Sequence, residues 1–147
     1  MKRASTTVHH HRLRVYWEDT DAGGIVFYAN YLKYFERART EWLRSLGFSQ
    51  EALRAAVDPM EAVMFVVTDT SVHYRAPARL DDLLEVSVEI LRCGAASMDI
   101  RQTATRDGHL LAEGDIRIGC VDPVNLKPRR IPAAISTAVA PSRGTHP

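Results

Sequence analysis

Apolar and polar positions first alternate over Arg12–Trp17. Leu13, Val15 and Trp17 fall on one face, and Arg12, Arg14 and Tyr16 on the other, which predicts a half-buried strand. The run Asp19-Thr20-Asp21-Ala22-Gly23-Gly24 then breaks the pattern with turn-forming residues. From Ala29 to Leu46 the chain holds strong helix formers without Gly or Pro. Leu32, Phe35, Arg39, Trp42, Leu43 and Leu46 make a stripe that mixes apolar and charged positions, and Gly47 closes the helix. At about 1.5 Å per residue such a helix is roughly 27 Å long and needs a whole sheet to cover its apolar side.

That sheet follows in the sequence. Ser49–Ala56 reads as a short helix capped by Ser49. Val63–Tyr74 is β-branched and aromatic, and Leu84, Val86, Val88 and Ile90 alternate with Glu85, Ser87 and Glu89. Met98, Ile100 and Ala104 mark another strand. After the hairpin turn Asp107-Gly108, Leu110, Ala112, Ile116, Ile118 and Cys120 line the face of a last one. One strand, a long helix and four successive strands predict an α+β domain whose antiparallel sheet of about five or six strands takes the helix on one face. With no repeat and no linker, residues 1–147 form one domain, its core at about 12–132. The ends, 1–10 and 135–147, are expected to be flexible tails.

Composition adds exclusions. A chain of 147 residues, 46% hydrophobic and 25% charged, is long enough to bury a core without staples. No apolar run approaches the roughly 18 residues of a membrane span, and no apolar segment near the start reads as a leader, so the expected location is cytoplasmic. There Cys93 and Cys120 are expected to be free thiols. The net charge of +1 hides basic ends: Lys2, Arg3, Arg12 and Arg14 before residue 15, and Lys127, Arg129, Arg130 and Arg143 from residue 127 onward. The segment between them is acidic, which argues against a nucleic-acid surface but leaves cations for a phosphorylated small ligand. His9, His10 and His11 read as a polar lead into the first strand, because neighbours on a strand face opposite ways.

The chemistry concentrates in Trp17–Tyr31, where a strand end passes two glycines into a helix start. Backbone N–H groups there lack intrahelical partners and favour negative charge. A nearby carboxylate supplies the second part of an acyl-transfer site. The spacing from Asp19 fails as a calcium loop, and no phosphate loop, GxSxG, HExxH or zinc pattern occurs. The residues alone also allow Asp19 and Asp21 simply to shape the turn and cap the helix.

Tyr16–Arg44, with its D-T-D-A-G-G-I-V-F-Y-A-N-Y and E-R-A-R segments, closely resembles the YbgC-type acyl-CoA thioesterases. These group with the 4-hydroxybenzoyl-CoA thioesterases of the hotdog-fold superfamily. The resemblance continues through Phe65–Val67, Tyr74–Asp82 and Cys120–Pro123. It implies a single hotdog domain, a sheet wrapped around the long helix, that hydrolyses acyl-CoA to free acid and CoA. It also implies assembly into homodimers or homotetramers. By the family's pattern Asp21 is the catalytic carboxylate. Tyr28 stands where many relatives carry His, which leaves its backbone N–H to polarise the thioester carbonyl.

No metal or cofactor is expected, CoA being part of the substrate. Arg75, Arg79, Lys127, Arg129 and Arg130 are the candidate contacts to CoA phosphates by charge and loop position. Tyr16, Tyr31 and Tyr34 read as packing residues, Glu36, Arg37 and Arg39 as an ion-paired helix face, and His73 and His109 as structural. The alternative is a non-catalytic hotdog scaffold that binds acyl carrier protein or cell-envelope (Tol-Pal) partners.

Overall fold

The computed structural model of the chain describes residues 8–139. Helix α1 spans Asn30–Ser45, with Ala29 and Leu46 as its caps. Gly47, at φ 96°, takes the left-handed conformation that ends it. The Gly47 N–H donates to the Arg44 carbonyl and the Phe48 N–H to Leu43, the paired bonds of a Schellman motif. Short α2, Gln50–Arg54, is capped as expected by Ser49, whose hydroxyl accepts from Ala52 N–H.

Five strands form one antiparallel sheet in the order β1-β3-β4-β5-β2: β1 Val8–Arg14, β2 Met64–Tyr74, β3 Leu83–Cys93, β4 Ser97–Arg106 and β5 His109–Val121. β1 and β2 are its edges. The β4–β5 turn, Asp107-Gly108, has both residues at positive φ, as a tight hairpin demands. This is the hotdog arrangement, with α1 against one face of the sheet.

The buried stripe of α1 is Tyr31, Tyr34, Phe35, Ala38, Trp42 and Leu43. It packs in one cluster with Val86, Val88, Ile100, Ala104 and Ile116. Burying a side chain such as Phe35 contributes about 1.5–3 kcal/mol. Gly114 makes room for it, since a Cβ there would stand 2.9 Å from the Phe35 ring.

Several expectations need correction. Leu32 is 44% exposed and leaves the stripe to Tyr31 and Tyr34, which lie about one turn apart. Arg39 turns inward to Gln102 instead of joining a surface ion-paired face. The first strand stops at Arg14, and Trp17 lies 82% exposed in a 3-10 turn, Trp17–Asp19, because the Asp19 carboxylate folds back onto the Tyr16 N–H. On β5 a register shift opposite Ala104/Thr105 buries Leu111 and exposes Leu110. The expectation of flexible tails at 1–10 and 135–147 fails for the described residues within those ranges. Val8–His10 belong to β1, and Ala133–Val139 form α3, whose Ile135 is fully buried. Pro132 pre-sets the start of α3, and Ile131, Ile135 and Val139 recur at four-residue spacing, the helical signal behind it. Residues 1–7 and 140–147 lie outside the described residues.

The three histidines sit within β1, with His9 and His11 half-buried and His10 exposed. Burial, with His11 and His10 nearby, holds His9 below its ordinary value. Cys93 and Cys120 form no disulfide, and burial pushes the Cys120 thiol up to about 11, against the pull of Arg129. That thiol is no nucleophile at neutral pH.

Candidate active site

Asp19 anchors the segment that carries the chemistry. It is 8% exposed, its carboxylate accepts from Tyr16 N–H at 2.8 Å, and its carbonyl accepts from Phe27 N–H and the Asn30 side chain. The expected turn role of Asp19 is therefore observed. Between these anchors residues 20–26 form a miniature hairpin closed by a Thr20–Val26 bridge. The Asp21 N–H donates to the Ile25 carbonyl and the Gly24 N–H to the Asp21 carbonyl. Gly24 sits at φ 80° inside the turn, a conformation few other residues accept.

Asp21 is exposed at this tip. Its Oδ1 accepts from Gly23 N–H at 2.8 Å, and among the described residues Oδ2 has no partner. One oxygen thus shapes the turn while the other faces solvent. A second strap fixes the hairpin to the rest of the fold, since Ile25 bridges Arg79 and the Val26 N–H donates to the Ala78 carbonyl. The 77–82 segment is itself pinned by Arg106, which reaches the Pro77 carbonyl and the Asp82 carboxylate.

At the start of α1 the tightening is of 3-10 type. The N–H groups of Asn30, Tyr31 and Leu32 donate to the carbonyls of Phe27, Tyr28 and Ala29. Among the described residues, the N–H groups of Tyr28 and Ala29 donate to nothing. Two adjacent donors, not four, remain at the positive end of α1 for an incoming negative charge.

Beside them lies a cleft of about 310 Å³, walled by Tyr28, Tyr31, Tyr74, Ile25 and Val26, with Arg75 among its lining residues. The rings interlock: Tyr74 meets Tyr28 edge-on at 6.1 Å and Tyr31 at 5.5 Å between centroids. The Tyr31 hydroxyl accepts from Ala78 N–H, and burial raises its pKa. Tyr34 is deeper still. Burial, then the neighbouring Asp19 carboxylate, drive its phenol far above the ordinary value. Tyr31 and Tyr34 therefore stay protonated at neutral pH. Tyr31 and Tyr34 are core residues as expected, whereas Tyr16 is 62% exposed and packs no core. A larger hollow, about 700 Å³, opens on the sheet face turned away from α1, but the Asp99, Asp115, Arg101 and Arg117 that line it are paired among themselves.

The five candidate phosphate contacts divide into two groups. Arg75 lines the cleft, paired with Glu113 at 2.6 Å, and Arg79 is exposed on the segment that bridges Ile25, with no hydrogen-bonded or ion-paired side chain among the described residues. Lys127, Arg129 and Arg130 lie at the opposite end of β2, where Val121 pairs with Met64 and bridges Pro128. The length of β2 separates the groups by about 33 Å at the usual strand rise. Arg129 is committed elsewhere: it clamps Asp122 and the carbonyls of Pro59 and Ala62, so it leaves the set of ligand contacts. Lys127 and Arg130 are exposed and unpaired among the described residues. His73 and His109 are exposed on strands, away from the cleft lining. Among the described residues no group of three or more His, Cys, Asp and Glu is placed to hold a metal ion. No helix among them is long and apolar enough to cross a membrane.

Sequence reasoning missed Tyr74 and the Ala29 N–H, which join this site only through contacts between β2 and the helix start.

Residues 15–139 match the model of the thioesterase-like superfamily. The chain is 46% identical over 132 residues to the acyl-CoA thioester hydrolase YbgC of Escherichia coli O157:H7, covering 89% of this chain and 95% of that protein. It is 40% identical to the acyl-CoA thioesterase YbgC of Haemophilus influenzae, over 86% and 90% of the two chains. The crystal structure of a probable thioesterase from Bartonella henselae superposes with a TM-score of 0.81 at 34% identity, covering 86% of this chain and all of that one.

Proposed function

The chain belongs to the thioesterase-like superfamily as a thioester hydrolase, and we propose that it cleaves acyl-CoA to free acid and CoA at the Asp21 hairpin and the start of α1. The observation that carries this reading is the pair of N–H groups, Tyr28 and Ala29, without partners among the described residues, beside an apolar cleft and one hairpin away from an exposed carboxylate. The thioester carbonyl oxygen gains negative charge as the carbonyl carbon becomes tetrahedral, and oriented donors at a helix start stabilise that charge. The Asp21 carboxylate either attacks the carbonyl carbon to form an anhydride or takes a proton from the water that attacks it. In both routes the C–S bond breaks, and CoA leaves as a thiolate that is protonated to the thiol; in the first, a water then cleaves the anhydride, which releases the free acid and restores the Asp21 carboxylate. The reaction uses no metal and no cofactor beyond the CoA of the substrate.

The separation of the cations supports a homodimer. β2 is a long edge strand, and an unpaired edge invites pairing with a second copy. Antiparallel β2–β2 pairing about a twofold axis sets the Lys127–Arg130 end of one copy beside the Arg75 end of the other. The pantetheine arm then leaves one copy's cleft while the phosphates meet cations of both. A cytoplasmic setting fits a substrate made and consumed there.

Release of free thiol from a panel of short, long and aromatic acyl-CoAs tests the proposal. Turnover above the uncatalysed rate on at least one class supports it, and no release from any class defeats it. Sizing with light scattering tests the assembly, where a monomer mass at micromolar concentration overturns the dimer.

A further inference from the structure

The Tyr74 hydroxyl donates to the Tyr28 carbonyl at 3.1 Å, joining the last residue of β2 to the peptide that opens α1. Two consecutive peptides there carry an N–H with no partner among the described residues. In the first, Phe27–Tyr28, the carbonyl accepts from Asn30 N–H at 2.8 Å, a short intrahelical-type bond. In the second, Tyr28–Ala29, the intrahelical-type bond is longer, 3.3 Å from Tyr31 N–H, and the Tyr74 hydroxyl supplies the other partner. A hydrogen bond accepted by a peptide carbonyl orients that peptide plane and strengthens its own N–H as a donor.

Tyr74 is equipped for this role. Its ring is wedged edge-on against Tyr28 and Tyr31, and Tyr31 is in turn tied through its hydroxyl to the Ala78 backbone. We propose that Tyr74 is a positioning residue: its hydroxyl fixes the Tyr28–Ala29 peptide so that the Ala29 N–H acts beside the Tyr28 N–H as a second donor to the thioester oxygen. This rests on the reading that the start of α1 receives that oxygen. Burial, then the nearby Tyr28, raise the Tyr74 pKa, so the phenol keeps its proton under working conditions. Because the bond forms mainly to orient a donor used in the transition state, its loss falls on turnover and spares substrate binding.

Tyr74→Phe isolates the hydroxyl, since it keeps the ring and both ring contacts. With butyryl-CoA and benzoyl-CoA as probes, kcat falls about threefold to tenfold, the scale of one net hydrogen bond. KM stays within about twofold. In isotope-labelled protein the Tyr28 carbonyl ¹³C resonance moves upfield in the variant, a readout independent of turnover. Undiminished kcat in Tyr74→Phe, or an unmoved Tyr28 carbonyl resonance, overturns the positioning role alone. Wild-type protein that releases no thiol from any acyl-CoA instead defeats the parent reading of the site.

Discussion

Arg39 reaches inward from α1 and donates to the side-chain oxygen of Gln102, a residue with no exposed surface, at 2.8 Å. The amide nitrogen of Gln102 donates onward to the carbonyls of Phe35 and Ser87, so one buried amide ties the long helix to β3 and β4. Gln102→Leu keeps the volume but strands the guanidinium and both carbonyls without their partner. The expected loss is about 2–3 kcal/mol, read as a lower midpoint in urea with an unchanged slope. A midpoint equal to that of wild type means that water replaces the amide at no cost.

Asp21→Asn retains an oxygen that can accept from Gly23 N–H, so the hairpin and the melting temperature are expected to hold. Thiol release is expected to fall by roughly 10² or more, the scale of a lost general base. Tyr28→Phe, which leaves the backbone donor intact, costs little. Near-normal turnover in Asp21→Asn together with a collapse in Tyr28→Phe moves the chemistry to the phenol.

Hydrolysis is expected to proceed unchanged after exhaustive treatment with a chelator. Loss of activity on chelation, with recovery on adding zinc, contradicts the carboxylate mechanism proposed for Asp21.

The basic residues after β5 separate by role. Arg129→Ala removes three structural hydrogen bonds and is expected to lower stability by about 2–3 kcal/mol. The double change Lys127→Ala with Arg130→Ala leaves the melting temperature alone and raises KM for acyl-CoA about tenfold, an effect that salt weakens. An unchanged KM in the double variant removes these residues from phosphate binding.

Asp82 gives a pH-dependent test of the wall that holds the hairpin. Burial works against its charge, but the Arg79 N–H and the Arg106 guanidinium together hold its carboxyl below the ordinary value. A depressed carboxyl contributes stability above the unfolded value, about 3.9, and loses it as pH falls through the folded value. The melting temperature of Asp82→Asn is therefore expected to lie a few degrees below wild type at pH 7. The two curves converge as pH drops below about 3.9. A gap that persists at pH 2 assigns the effect to the shape of the turn.

Local chemistry decides much of this protein, and the sequence alone therefore determined it. Helix α1 could be placed to within a residue because an unbroken run of helix formers and the left-handed Gly47 that ends it depend only on neighbours along the chain. The alternation of β3 and the Asp107-Gly108 hairpin follow from the same short-range rules. The Asp21 loop was legible as well, since its motif is contiguous from Tyr16 to Arg44. Other features were settled only by the tertiary structure. The inward turn of Arg39 needs Gln102, far along the chain, and the hydroxyl bond from Tyr74 to Tyr28 needs the end of β2 to arrive beside the helix start. The same holds for the division of the cations: Arg75 and Lys127 look alike as basic residues near loops, but the antiparallel pairing of β2 with β5 carries them to opposite ends of the sheet. Side-chain partners separated by many residues are chosen by strand order and register, and neither is encoded in the spacing of residues along a single element.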